Sequence, residues 1–288
     1  MDFRRPRDEY LFGLAGKLAR PLRGSIAAPL AGTRSGPGYD ADAQAYFTAA
    51  GITAEPYLAG INQFVLDLKA ASIWTKFDRL YILANESETA ALTCLVSLNQ
   101  DAESISGTAF AAGQGYTGDG VADYIDTNYN PATQGVNYTL NEASLGVYVR
   151  AQSAGATTTV IGASAAGTGG TSIRAWWTDN KTYSSLNTGD GGAGPNATLV
   201  SRLGLLSVVR TASNANVLYQ GATSRATSAQ AATSVVNTKL AIFAINATDP
   251  SQFSAAQLSM AYAGGSLSAQ NMTDFSAAVD ALKVAIGF

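Results

Sequence analysis

The chain has 288 residues, is 47 % hydrophobic but only 14 % charged, and contains no histidine and a single cysteine, Cys94. That composition excludes a histidine-dependent triad, a histidine-liganded zinc and an intrachain disulfide. The charged fraction is well below the roughly 25 % of ordinary soluble domains, which points to a surface covered by other subunits or rich in Ser, Thr, Asn and Gly.

The net charge of −3 is unevenly placed. Residues 1–34 hold seven of the 18 basic residues and three of the 21 acidic ones, so this leader carries +4 and the remainder −7. A basic arm on an acidic body binds nucleic acid or an acidic protein surface. Here Arg4, Arg5 and Arg7 alternate with Phe3, Tyr10, Leu11, Phe12, Leu14 and Leu18, which favours a protein groove over a nucleic-acid backbone. Leu11, Leu14, Ala15 and Leu18 fit one face of a short helix that would be marginal alone and ordered on a partner. Residues 1–39 therefore read as a basic, aromatic attachment arm with no nucleic-acid partner. Lys17 and Arg20 interrupt its apolar stretch, so a signal peptide is not expected. No segment reaches the 18 or so apolar residues that cross a bilayer, and membrane insertion is not expected.

Asp40 is placed to cap a helix over Ala41–Ala50 that Gly51 stops. Thr53 is the expected cap of a second helix, with Pro56 in its first turn and Leu58, Ile61, Val65 and Leu68 at helical spacing. That helix should end near Ala71, and a strand should follow over Leu80–Leu83. Cys94 lies in the apolar run from Leu92 to Leu98, where a buried, inert thiol is expected.

Beyond this point the hydrophobic period becomes two. In "SLGVYVRA", Leu145, Val147 and Val149 alternate with Gly146, Tyr148 and Arg150. In "SIRAWWTD", Ile173, Ala175 and Trp177 share one face, with Arg174 and Trp176 on the other. "LLSVVRTASNANVLYQGATS" reads as two strands joined at Ser213–Asn216, and "KLAIFAINA" as a central strand. The Ala/Ser/Gly/Thr-rich stretches read as loops and edge strands. Many short strands with Gly, Ser and Asn turns predict an antiparallel sandwich or jelly roll. At the end, Ser254 and Gln257 look like a capping box for a helix over Ala255–Ala263. Met272, Phe275, Val279, Leu282 and Ile286 then predict a terminal helix packed on the sandwich.

Three places could carry chemistry. In "GYTGDGVADYIDTNYNP", Gly115 to Pro131, the carboxylates Asp119, Asp123 and Asp126 are weak calcium candidates. They lack the compact loop of oxygen ligands that calcium needs, so a turn feeding a strand is favoured, and no metal or other cofactor is expected. Glycoside hydrolysis needs two acids held across a cleft; the acids here are scattered, and Glu86 and Glu88 sit in a loop-like "NESET". Arg174 and Trp176 are the candidates for a glycan contact, because a sugar stacks on an exposed aromatic face beside a planar polar group. The competing reading buries both faces of that strand.

Residues 40–83, "DADAQAYFTAAGITAEPYLAGINQFVLDLKAASIWTKFDRLYIL", resemble a segment common in structural proteins of tailed bacteriophages and phage-like particles, with Asn62, Trp74 and Lys76 keeping their places. Gly115–Pro131, the hairpin "GLLSVVRTASNANVLYQGATS" and the closing stretch from Leu240 to Gly287 are similar to later elements of that family. Asp119 stands where the family usually shows Asn. The resemblance covers residues 40–288. It implies a mostly β, antiparallel concanavalin A-like, laminin-G-type jelly roll with N-terminal and C-terminal helices packed on it, carried on a virion. The expected layout is an arm at 1–39, a helical collar at 40–79 and the jelly roll at 80–288. The expected function is that of a non-enzymatic virion structural protein, made in the bacterial cytoplasm and exposed on the particle as a head decoration, spike, or neck or tail fibre component. Its expected partners are other virion proteins (capsid, neck or tail), copies of itself and host surface polysaccharide. The alternative is a free carbohydrate-binding or glycoside-hydrolysing module.

Overall fold

Helical and strand periodicities occur in the same chain, and burying the apolar face of each produces three layers: helices, a first sheet and a second sheet. The computed structural model describes residues 38–152, 158–166, 169–188 and 194–288. From Tyr39 onward these belong to one compact unit. The arm residues Phe3, Arg4, Arg5, Arg7, Tyr10, Leu11, Phe12, Leu14 and Leu18 lie outside the described residues. No helix among the described residues is long and apolar enough to cross a membrane.

Helix α1, Ala41–Ala50, starts as expected: the Asp40 carboxylate accepts from the Asp42 amide at 3.0 Å, and Gly51 ends the helix in the left-handed conformation. Helix α2, Glu55–Ala70, departs from expectation at its cap. Thr53 gives no side-chain cap; the Glu86 carboxylate reaches across and accepts from the Thr53 and Ala54 amides, each at 2.9 Å. An anion beside a helix N-terminus meets both the free amides and the positive end of the dipole, whichever part of the chain supplies it. A 3₁₀ turn at Trp74–Lys76 leads into β1, Phe77–Ile82, which begins three residues before the expected Leu80. Short helices α3, Glu88–Leu92, and α4, Pro131–Gln134, lie in connections, and α5, Ala269–Ile286, closes the chain with a Ser268–Asn271 capping box.

The first sheet contains β3 (Ala109–Ala111), β4 (Gly115–Thr117), β6 (Ala143–Ala151), β11 (Gly204–Ala212), β12 (Ala215–Gln220), β13 (Thr223–Ser228) and β15 (Gln257–Gly264). Their order is β13-β12-β11-β6-β15-β4-β3, with β1 paired to β15 beyond the short β4. The second sheet contains β2 (Glu103–Ile105), β5 (Tyr124–Asp126), β7 (Thr158–Ala163), β8 (Gly170–Trp176), β9 (Thr182–Thr188), β10 (Asn196–Ala197) and β14 (Ala241–Ile242), in the order β10-β9-β8-β7-β14-β5-β2. The named strands pair antiparallel throughout.

Three expectations are corrected. Residues 255–263 were expected to be helical, but Gln257–Gly264 is strand β15. Ala261 and Ala263 point into the core between the sheets, while Met260 and Tyr262 point into the core under the helices. Ser254 Oγ accepts locally from the Ala256 amide, 3.2 Å away, and starts no helix. Pairing on both edges overrides the local capping signal. Within the Ala/Ser/Gly/Thr-rich stretch expected as loops and edge strands, Thr158–Ala163 is not an edge: β7 lies between β8 and β14 and is buried along its length. "KLAIFAINA" does pass through the middle of the second sheet, but only Ala241–Ile242 forms a strand, because Phe243 takes a φ of 71°.

Residues 40–79, expected as a collar, place α1 and α2 with α5 over the outer face of the first sheet, within the same compact unit as residues 80–288. Helices α2 and α5 approach closely at Gly60, where a Cβ would lie 2.9 Å from that of Ala285. An aromatic cluster locks this layer to the sheet: Phe275 of α5 stands 5.1 Å from Phe77 of β1 and 5.0 Å from Tyr262 of β15, and 6.4 Å from Phe64 of α2. Each such pair contributes about 0.5–1.5 kcal/mol beyond its buried area. Phe275→Ala is therefore expected to cost about 3–5 kcal/mol in urea unfolding. On the same helix, Val284→Ala, at a position 85 % exposed, should stay within about 0.5 kcal/mol.

Candidate functional site

The acidic stretch Gly115–Pro131 carries the chain from the first sheet, at β4, to the second, at β5. Its turn is built by Asp119, whose Oδ1 accepts from the amides of Val121 at 2.8 Å and of Ala122 and Asp123 at 2.9 Å each. Those three amides hold the Asp119 carboxyl below its ordinary pKa. Gly118 is required by close approach, since a Cβ there would lie 2.3 Å from the Ser254 carbonyl oxygen. Asp123 is buried, and desolvation together with the charge of Asp119 raises its pKa. Asp126 accepts from the Asn128 amide at 2.7 Å and from Lys239 Nζ at 3.0 Å. The Asp119 and Asp126 carboxylates thus serve separate local bonds. Among the described residues no three His, Cys, Asp or Glu groups form a set that could hold a metal ion.

The aromatic candidate is relocated by one residue. Trp176 is only 8 % exposed and belongs to the core between the sheets, with the Arg202 guanidinium 5.7 Å from its ring. Arg174 is buried as well, its guanidinium 5.4 Å from the ring of Trp177. Strict alternation places Trp177 inward and Trp176 outward, but β8 ends at Trp176 after register shifts against both neighbours. The chain then turns, with the Asn180 amide donating to the Trp177 carbonyl at 2.9 Å. Half-buried Trp177 is left on the β8–β9 turn, packed edge-on against Tyr183 at 6.0 Å, and the Tyr183 hydroxyl donates to Asp179 at 2.7 Å.

This turn is tied to a neighbouring groove. Arg202 Nη2 donates to Asn180 Oδ1 at 2.8 Å, so the loop before β11 is fastened to the tip of the hairpin. Gln220 of β12 holds the same loop from the other side, donating to the carbonyls of Ser201 at 2.8 Å and Leu203 at 3.0 Å. Beneath the loop lies a groove of about 600 Å³ lined by Ser201, Leu203, Gln220, Arg225 and, from α5, Ser276 and Asp280. Hydroxyls, an amide, one cation, one anion and aliphatic surface suit a ligand with both polar edges and an apolar face. Among the described residues Asp280 is the one carboxylate lining the groove. With Tyr148 of β6 also in its wall, the groove draws on four separate parts of the chain. The nearest sequence signals are Gly204 and Gly221, which take φ values of 94° and 57° at its margins.

The solved structure of a Trypanosoma rangeli sialidase mutant displaying trans-sialidase activity matches with a TM-score of 0.52 at 12 % identity, over 78 % of this chain and 39 % of that one. The T. rangeli sialidase in complex with 2,3-difluorosialic acid matches with a TM-score of 0.50 at 12 % identity, over the same shares. Domains LG4-5 of the mouse laminin α1 chain match at a TM-score of only 0.32, with 13 % identity, over 45 % of this chain and 36 % of that one. This chain thus spans 39 % of the length of the sialidases it resembles. No protein-family model and no curated protein sequence matches it. At these identities the likeness shows the fold and not an activity. The described chain is a mostly β, antiparallel concanavalin A-like jelly-roll sandwich with helices packed on one sheet.

Two outcomes follow from this geometry. Trp176→Ala should lower stability by about 3–5 kcal/mol, the range for emptying a buried aromatic site, while Trp177→Ala should cost clearly less; chemical denaturation of the two variants compares them directly. Because the folded-state pKa of Asp119 is depressed, its contribution is present above the unfolded carboxylate value of about 3.9 and is lost as pH falls through the folded value. Asp119→Ala should accordingly speed hydrogen exchange at Val121, Ala122 and Asp123 at neutral pH, and the difference from wild type should vanish in strong acid.

Proposed function

We propose that the chain is a non-catalytic structural protein of a tailed bacteriophage or phage-like particle. It is made in the bacterial cytoplasm, held on the particle by residues 1–39 and assembled with copies of itself as a head decoration, a spike or a neck or tail fibre component. Its sandwich presents the Trp177 turn and the adjoining groove to surface polysaccharide. The observation that carries this reading is the role of the residues behind the phage resemblance, which sit at the joint between helices and sheet. Asn62 Oδ1 accepts from the Asp40 amide at 2.7 Å, joining α2 to the start of α1. Trp74 lies under Lys69, whose Nζ is 5.6 Å from its ring, and Lys76 Nζ donates to the Ser266 carbonyl at 3.2 Å, just ahead of α5. Residues that keep their places because they fasten layers mark a shared architecture rather than a shared catalyst. That Asp280 is the one carboxylate lining the groove among the described residues supports binding without cleavage.

The second reading, a free carbohydrate-binding module, is favoured by the bonds that hold the loop over the groove, Arg202 to Asn180 and Gln220 to Ser201 and Leu203, none of which involves residues 1–39. Deleting residues 1–38 separates the two. The truncated chain should unfold at the same temperature as the full chain yet fail to join particles that lack the protein, whereas the full chain joins them. Full occupancy by the truncated chain would overturn the particle reading. On immobilised host surface polysaccharide, Trp177→Ala and Arg225→Ala should each weaken retention by about tenfold, as loss of one good stacking or charge-assisted contact does.

A further inference from the structure

The groove beneath the loop before β11 carries charge on two elements, and the protein satisfies neither charge. Arg225 of β13 and Asp280 of α5 both line it and both are exposed. Among the described residues neither forms an ion pair or a side-chain hydrogen bond, with the other or with any third group. A second cation stands close by: Lys283 Nζ is 5.9 Å from the centre of the Tyr148 ring, and Tyr148 is part of the groove wall. Lys283 also forms no ion pair among the described residues. Two cations thus face one anion here, on a body that is acidic as a whole. A polyanion gains nothing from the overall field of such a body, so a preference for one has to arise locally.

The rest of the wall matches a sugar ring. Tyr148 and Leu205 supply apolar surface, on which the C–H face of a pyranose packs. Gln220 spends its amide hydrogens on the Ser201 and Leu203 carbonyls, which leaves its Oε1 as an acceptor. Asp280 is an acceptor only, so both groups take protons from sugar hydroxyls. What a neutral sugar leaves without a counterpart is the Arg225 guanidinium. Its planar fork of donors fits the two oxygens of a carboxylate, and such charge-assisted pairs are about twice as strong as bonds between neutral groups.

We propose that the groove takes an acidic polysaccharide whose repeating unit carries one carboxylate, of the uronic acid type, with that carboxylate on Arg225 and ring hydroxyls on Asp280 and Gln220. The assignment rests on the polysaccharide site proposed above and names the chemical class that the site selects. Asp280 repels a second negative charge on the same unit, so the two unpaired groups together orient the ring: its acid edge lies toward β13 and its hydroxyl edge toward α5.

The test compares polymers that differ only in the carboxylate. Polygalacturonate, polyglucuronate and polymannuronate are immobilised beside their carboxyl-reduced forms, in which each carboxylate has become a primary alcohol. The full chain should be retained on at least one acidic polymer about tenfold more strongly than on its reduced form, and added salt should narrow the difference. Arg225→Gln, an exposed change that should leave the unfolding temperature where it is, should bring that acidic polymer down to the level of its reduced form. A preference that persists in Arg225→Gln belongs to the basic leader and overturns the proposal. Equal retention of an acidic polymer and its reduced form overturns it as well, yet leaves the groove standing as a polysaccharide site. Retention of none of the six polymers overturns it too, and the Trp177→Ala and Arg225→Ala comparison on host polysaccharide then decides separately whether the groove binds sugar.

Discussion

Strand β15 is covered on both faces and bonded along both edges, and the placement of the other layers follows from that. Its Ala261 and Ala263 close the core between the sheets, its Met260 and Tyr262 close the core under the helices, and β6 on one side with β1 and β4 on the other satisfy its backbone. Small residues on the inner face let the second sheet approach. Large residues on the outer face meet Phe275 and thereby fix where α5 lies. A strand buried on both sides has no solvent-facing polar alternation, which is why its pattern also fits a buried helix.

A second constraint is polar. Asp78 and Arg79, adjacent on β1, are both buried at one end of this strand, and their bonds run in different directions. Asp78 gathers the chain from Tyr129 to Tyr138, ordering the loop that leads into β6, while Arg79 lies against the ring whose hydroxyl Asp78 accepts. A buried carboxylate with five donors is held in one geometry, because each lost donor leaves charge uncompensated in a medium of low dielectric. β1 therefore sets the register of the first sheet beside β15 and also the route by which the chain enters β6.

The candidate binding region depends on these layers without sharing their residues. The Trp177 turn, the loop before β11, Gln220 and α5 meet at one end of the sandwich only because β8, β11 and β12 have their present order and α5 lies across the first sheet. Arg202 shows how the two functions separate. It packs its guanidinium against buried Trp176 and uses its donors on Asn180, so it shapes the groove from behind while Arg225 and Asp280 line it.

What could be read from residues alone is what local forces decide. The Asp40 cap and Gly51 stop, the inward face of β6, the hairpin of β11 and β12, the stripe of α5 and the Asp119 turn all follow from side chains acting within a few residues, as does the sandwich class. The tertiary structure alone decided what depends on distant neighbours. Glu86 caps α2 in place of Thr53, Gln257–Gly264 is a strand despite its capping signal, and β7 lies inside a sheet despite its alanines and serines. Trp177, not Trp176, reaches the surface because a register shift and a turn interrupt the alternation that a sequence pattern must assume. The groove had no sequence signature, since its lining residues are brought together by strand order, which no local pattern encodes.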